Sequence, residues 1–254
     1  KDSEYEWRES EIYSIDVSAG EIRQLTSRKG PASGPIPSPD GRYIAYTGYD
    51  WSRDTYTEAG IYFMRSDGSK PVRIASEMGR RPGNLTWAED GSGLYFNAAL
   101  KGSSNLYFAP LSGKPKAITN DKQMLRVSDI GKRGLAVGTL STSHVPRNLV
   151  SFSIRKPSQI TELYSTNKTH LSEVKLGEVE EIWYNSVDNL RIQGWIVKPP
   201  GFDPSKKYPL ILRIHGGPHA MYNCGFDFKN QNHAANGYVV LYTCLLYTSP
   251  SPRD

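Results

Sequence analysis

The sequence predicts two architectures in series: short antiparallel four-stranded units repeated over the first two thirds, then the opening of a sheet that alternates strands with a helix. Three observations predict it. A strand of the Ile-Tyr type returns at Ile12, Ile61, Leu106 and Leu149, separated by 49, 45 and 43 residues. Asp-Gly dipeptides, Asp40-Gly41 and Asp90-Gly91, sit between short apolar runs in the intervals. An apolar run over 208–214 ends in His215-Gly216-Gly217-Pro218.

A period in the forties belongs to β-propeller blades of four strands. Each unit reads as a strand, an Asp-Gly turn that reverses it, a second strand, the Ile-Tyr strand and then an Arg-x-Leu-Thr strand. Residues 11–26 form the outer half of one unit, and 31–165 hold three more. The last is degraded: Leu125-Arg-Val-Ser-Asp-Ile-Gly replaces the Asp-Gly turn, and the Leu149 copy is faint. This pattern resembles the TolB-like and peptidase-type propeller repeat.

Recurring aromatics follow from the same unit. Trp87 and Tyr13, Tyr62, Tyr95 and Tyr107 occupy repeated positions and are expected to pack between blades rather than stack on a ligand. Asp40 and Asp90 are turn residues by the same reasoning, not catalytic carboxylates. His144 and His170 stand alone in weakly patterned stretches and read as surface groups. Asn84-Leu-Thr and Asn167-Lys-Thr match the glycosylation sequon, a short motif of low specificity.

Bulk properties exclude several function classes. With 254 residues and a net charge of +5, the chain has the composition of a globular protein rich in Tyr, Gly and Pro. Its Lys and Arg are scattered without a basic block, so no nucleic-acid partner is expected. No stretch is long and apolar enough for a membrane span. Cys224 and Cys244 are too few for a metal site or a disulfide framework, and no cofactor is expected. Oligomeric state and compartment are written in no motif.

After residue 176 the repeat stops. Residues 181–186 and 190–197 alternate around Asp188-Asn189 as a hairpin. Pro209 to Ile214 is nearly all apolar, as for a strand covered on both faces of a parallel or mixed sheet. A short helix over 226–236, stopped by Gly237, and a strand over 238–243 complete the order. An α/β-hydrolase sheet begins this way.

In that setting His215-Gly216-Gly217-Pro218 has two readings, a bare turn or half of an oxyanion hole. Two glycines place backbone amides at a strand end where no Cβ blocks an incoming carbonyl. α/β-Hydrolases take one oxyanion donor from such a loop after the third strand. The repeats before the loop and the helix and strand after it favour the oxyanion reading.

The conjunction of repeats, Gly194-Trp-Ile-Val-Lys-Pro-Pro-Gly-Phe202, Tyr208-Pro-Leu-Ile-Leu-Arg-Ile-His-Gly-Gly-Pro-His219 and Ala234-Ala-Asn-Gly-Tyr-Val-Val-Leu-Tyr-Thr243 resembles the prolyl oligopeptidase family of serine peptidases, in its dipeptidyl aminopeptidase and acylaminoacyl peptidase branch. The resemblance covers residues 11–243. It implies an incomplete β-propeller of TolB-like blades over 1–176, about three and a half blades, and the first part of an α/β-hydrolase peptidase domain over 177–243. It implies short peptide substrates. Of the family's site it places only the oxyanion loop: Gly217 as the first choice of amide donor, Gly216 shaping the turn, and His215 lining the pocket. His215 is not expected to be the general base, because in the family that residue follows the nucleophile. His219 and His233 are weaker candidates still.

No Gly-x-Ser-x-Gly occurs in the sequence. The catalytic Ser, Asp and His are therefore expected to be missing, with both ends of the chain cut short. Residues 244–254, with their repeated Ser-Pro, are expected to be a non-native tail of sequencing-adapter origin. The expected activity is that of a serine peptidase family, with this polypeptide itself inactive. An esterase of the same fold and a non-catalytic protein-binding propeller remain as alternatives.

Overall fold

The structure, a computed structural model, describes residues 8–54, 57–78, 81–187, 189–216 and 220–244. The chain divides into two compact units. One comprises Lys1–Ala99, Leu106–Asn120 and Asp129–Gly134; the other comprises Leu100–Asn105, Asp121–Ser128 and Leu135–Asp254.

In the first unit, β1 (Tyr13–Ile15) and β2 (Ile22–Gln24) form a hairpin. β3 (Ala32–Pro37), β4 (Tyr43–Gly48), β5 (Gly60–Arg65) and β6 (Val72–Ile74) form an antiparallel meander. β7 (Gly83–Trp87), β8 (Gly93–Leu100), β9 (Ser103–Pro110) and β10 (Lys116–Ala117) repeat that order, although the β8–β9 turn and the start of β9, Leu100–Asn105, belong to the second unit.

The two Asp-Gly turns share one geometry. Gly41 and Gly91 both have φ +70, and their amides donate to Ser38 O and Ala88 O at 2.9 Å. Asp40 Oδ1 accepts from the Ser38 hydroxyl at 2.6 Å, and Asp90 Oδ1 from the Ser92 amide at 2.9 Å. The Ser38 hydroxyl first, then the Arg42 amide and guanidinium, lower the Asp40 carboxyl to about 2. A glycine in the left-handed region after a short polar residue suits these four-residue hairpin loops, 39–42 and 89–92, closed by the Ser38–Tyr43 and Ala88–Gly93 backbone bonds.

Alternating side chains from these strands build two cores. One holds Ala45, Ile61, Trp87, Leu94, Phe96 and Tyr107, and the other Ile12, Leu25, Tyr46, Tyr62 and Met64. Trp87 is buried and donates from Nε1 to Ile36 O at 3.1 Å, which ties β7 to β3. Tyr62 and Tyr107 are buried, stacked on Tyr46 and Phe96, whereas Tyr13 is 53% exposed on its short strand.

The third meander is β11 (Met124–Ile130), β12 (Leu135–Ser141), β13 (Asn148–Ser153) and β14 (Thr161–Tyr164), in the second unit except for the last two residues of β11. Met124 pairs in parallel with Ser104 of β9. Leu149 departs from its aligned counterparts: Ile12, Ile61 and Leu106 are buried, but Leu149 is exposed and Val150 takes the inward position. β13 alternates without a break, with Asn148, Val150 and Phe152 inward, so Leu149 falls on the outer face; the register shift beside it belongs to β14, where Leu163 is skipped in the pairing. Among the described residues no strand pairing closes these sheets into a barrel.

After the short helix α1 (Lys168–Ser172) comes a four-stranded mixed sheet, ordered β15 (Val179–Asn185), β16 (Arg191–Val197), β18 (Val239–Thr243), β17 (Leu210–Arg213). β15 and β16 are the expected hairpin, with Asn185 opposite Arg191 and Asn189 at φ +61. β17 and β18 run parallel and are connected through α2 (Phe228–Ala235). Gly237, at φ +86, ends that helix as expected.

Burial of β17 differs from the expectation. Leu210, Leu212 and Ile214 are 59%, 54% and 66% exposed. β17 is an edge strand, and α2 lies against β16 and β18. Only Ile211 and Arg213 face the side that carries buried Val240 and Tyr242, because alternate residues of a strand point to opposite faces. Cys244, assigned above to the tail, packs in the core with Trp195, Val197 and Tyr242, and its amide donates to Gln193 O at 2.9 Å.

Candidate functional site

β17 delivers the chain to the glycine loop at its C-terminal end. Arg213, its last residue, is fixed underneath: Nη1 donates to Asp227 Oδ2 at 2.8 Å and also to Asn230 Oδ1. Asp227 caps α2, its Oδ1 accepting from the Asn230 amide at 2.9 Å. Burial pushes the Asp227 carboxyl up, but the Arg213 guanidinium and the Asn230 amide outweigh it and hold the group below the usual carboxylate range. Strand end and helix start are thus tied by one charged group on each side. Sequence reading missed this tie, although Asp227 before a helical run is the N-cap signal that could have found it.

Of the three expected site residues, two are described. His215 is half-buried. Its Nδ1 lies 3.0 Å from Gly216 O, and its Nε2 is buried without a hydrogen-bond partner among the described residues. The imidazole edge meets Tyr222 at 5.0 Å and 74°. Tyr222 in turn meets Tyr242 edge-on at 5.1 Å, and Tyr242 stacks on Trp195 at 5.4 Å and 16°. Burial raises the Tyr242 phenol, so its hydroxyl stays neutral.

Gly216 is exposed, its φ lies outside the left-handed region, and a Cβ added there would meet nothing within 4 Å. Its own packing does not require glycine; the missing side chain leaves open space beside the backbone. Gly217, the first choice of donor, lies outside the described residues, as do Pro218 and His219.

Other singled-out groups stay apart from this loop. His144 bonds through Nε2 to Gly177 O at 3.0 Å, His170 is exposed on α1, and His233 occupies the last turn of α2. No hydrogen bond or ring contact among the described residues joins any of them to His215. Cys224 and Cys244 are buried free thiols whose ionisation burial suppresses. Among the described residues no cluster of three or more His, Cys, Asp or Glu could hold a metal ion, and no helix is long and apolar enough to cross a membrane.

No family model matches the chain. Curated relatives do. Dipeptidyl-peptidase 5 of Trichophyton equinum is 30% identical over 223 residues, covering 84% of this chain and 30% of that protein. The dipeptidyl-peptidase 5 of Arthroderma otae is 29% identical over the same length. Among solved structures, an acylaminoacyl peptidase of Pyrococcus horikoshii superposes with a TM-score of 0.74 at 24% identity, over 92% of this chain and 35% of that one. Dipeptidyl peptidase 4 of Porphyromonas gingivalis gives 0.62 at 18%, over 92% and 34%. The chain belongs to the prolyl oligopeptidase family of serine peptidases.

For a member of the prolyl oligopeptidase family the match is partial in one direction: the chain spans about 30% of the length of the curated relatives it matches. An acylaminoacyl peptidase in complex with Z-Gly-Gly-Phe-chloromethyl ketone also superposes, with a TM-score of 0.74 at 23% identity over 92% of this chain and 35% of that one. At these identities the solved structures establish likeness of fold.

Proposed function

We propose that these residues are part of a serine-type peptidase acting on short peptides. In this reading residues 1–176 are blades of an incomplete β-propeller, and residues 177–243 open an α/β-hydrolase domain. The observation that carries it is the placement of His215 and Gly216. They follow β17, which runs parallel to β18 with α2 between them in sequence and a hairpin, β15 and β16, on the far side. A loop at the C-terminal end of a parallel strand is where an open α/β sheet binds its ligand.

The chemistry assigned to the loop is electrophile stabilisation. The Gly217 amide donates to the oxygen that becomes negative as the peptide carbonyl is attacked, while the bare side of Gly216 leaves room for that carbonyl. One such donor lowers the transition state by about 2.7–4 kcal/mol. His215 forms part of the wall, held by Tyr222. A nucleophile on a Gly-x-Ser-x-Gly elbow, its histidine base and the orienting aspartate are assigned to none of the 254 residues. The polypeptide as it stands is accordingly expected to be inactive.

The test is to read the source gene past the Thr243 codon and assay its product on dipeptide anilides. The proposal expects a serine elbow followed by aspartate and histidine, with hydrolysis of the amide substrate. A product without the elbow, or one that cleaves esters and no peptide amide, overturns it.

A further inference from the structure

The loop bearing His215 and Gly216 is connected by side-chain packing to the tight turn between β8 and β9, more than a hundred residues upstream. That turn is Lys101-Gly102, with φ +50 and +69, the left-handed pair of a two-residue hairpin. Both of its carbonyls accept hydrogen bonds from the region around the loop. Lys101 O accepts from Gln193 Nε2 at 3.0 Å, and Gly102 O from the Cys224 amide at 2.9 Å.

Gln193 is fully buried on β16, and its Nε2 also donates to Glu181 Oε1 at 2.9 Å. The other Glu181 oxygen meets Lys122 Nζ at 2.6 Å. Phe226 is held in the same way, its amide donating to Ser141 Oγ of β12 at 3.1 Å. The segment that follows the glycine loop is therefore pinned at Cys224 and Phe226 by β8–β9 and β12.

Aromatic packing completes the connection. A Cβ at Gly102 would lie 2.5 Å from the Trp195 ring, so the turn touches Trp195 closely enough to exclude any side chain there. Trp195 stacks on Tyr242, Tyr242 meets Tyr222, and Tyr222 meets the His215 imidazole. We infer that the Lys101-Gly102 turn is a positioning element for the glycine loop, acting through Trp195, Tyr242 and Tyr222 on His215. Close packing transmits such a displacement because no neighbouring void absorbs it. The loop's importance rests on the oxyanion reading above; the mechanical connection does not.

Labelling of imidazoles by diethyl pyrocarbonate tests the connection without requiring catalysis. Nε2 of His215 is buried and Nδ1 faces Gly216 O, so His215 reacts slowly in the unaltered chain. Gly102→Ala is expected to raise labelling of His215 about tenfold by local opening, leaving exposed His170 unchanged. Gly201→Ala is the matched control: Gly201 has φ +73 with nothing within 4 Å of an added Cβ, so it carries the same backbone strain without the ring contact. Trp195→Leu breaks the connection with no left-handed strain and decides the matter if Gly102→Ala does not fold. Unchanged His215 labelling in the variants that fold, or an equal rise in Gly201→Ala, overturns the inference. A rise confined to Gly102→Ala and Trp195→Leu upholds it even if a complete-gene product proves to hydrolyse no peptide, which would defeat only the oxyanion reading.

Discussion

Two glycines in similar left-handed conformations have different neighbours, and that difference decides what each does. Gly91 has φ +70 and open space where a Cβ would be; Gly102 has φ +69 and a tryptophan ring there. Gly91→Ala is expected to cost about 1–2 kcal/mol through backbone strain alone, read as a lowered urea midpoint with an unchanged slope. Gly216 differs from both, since neither φ nor packing demands a glycine. Gly216→Ala is expected to leave folding stability within about 0.5 kcal/mol, so an effect on turnover would belong to the substrate rather than the fold. The sequence motif marks the residue, and the coordinates show that the fold itself does not need it.

Asp227 is the residue on which the helix following the glycine loop depends. It caps α2 and pairs with Arg213, so Asp227→Ala removes both and is expected to cost about 1–2 kcal/mol from the cap alone, followed by far-ultraviolet circular dichroism during denaturation. The carboxyl is lowered in the folded state. Its contribution is therefore fully present above the unfolded carboxylate value of about 3.9 and is lost as pH falls through the folded value. Asp227→Asn is expected to flatten the acid limb of the stability profile below about pH 4; an unchanged limb contradicts the pairing.

Legibility followed how local the cause was. The Asp-Gly turns, the hairpin through Asn189 and the stop at Gly237 are set by neighbours in sequence, and all were readable. The outward face of β17 was not, because its residues are apolar on both sides and only pairing with β18 alone makes it an edge. The outward face of Leu149 was hidden for a similar reason, since which face of β13 meets the core is set by its pairing with β12 and leaves no composition signal. At the candidate site, glycine spacing pointed to the loop. The contacts of His215 with Tyr222, and of Gly102 with Trp195, join residues too distant in sequence for any periodicity to reveal.

At the scale of the whole molecule, the chain contains a run of antiparallel meanders and a four-stranded mixed sheet, and its relatives are peptidases. The 254-residue polypeptide, purified and given a chromogenic dipeptide anilide, is expected to show no turnover above buffer. Its β14, β17 and β1–β2 edges expose Leu163, Tyr164, Leu210, Leu212, Ile15 and Ile22, and open apolar edges pair with other chains. Concentration-dependent association by light scattering is expected, and a monodisperse monomer at high concentration would contradict it.

The central claim is that the backbone of the glycine loop stabilises the oxyanion. Its most direct test is the kcat of a complete-gene product carrying Gly217→Pro, which removes the one amide assigned as donor. The account predicts a fall of about a hundred- to a thousandfold in kcat with KM much less affected. A kcat equal to that of the unaltered enzyme would contradict it.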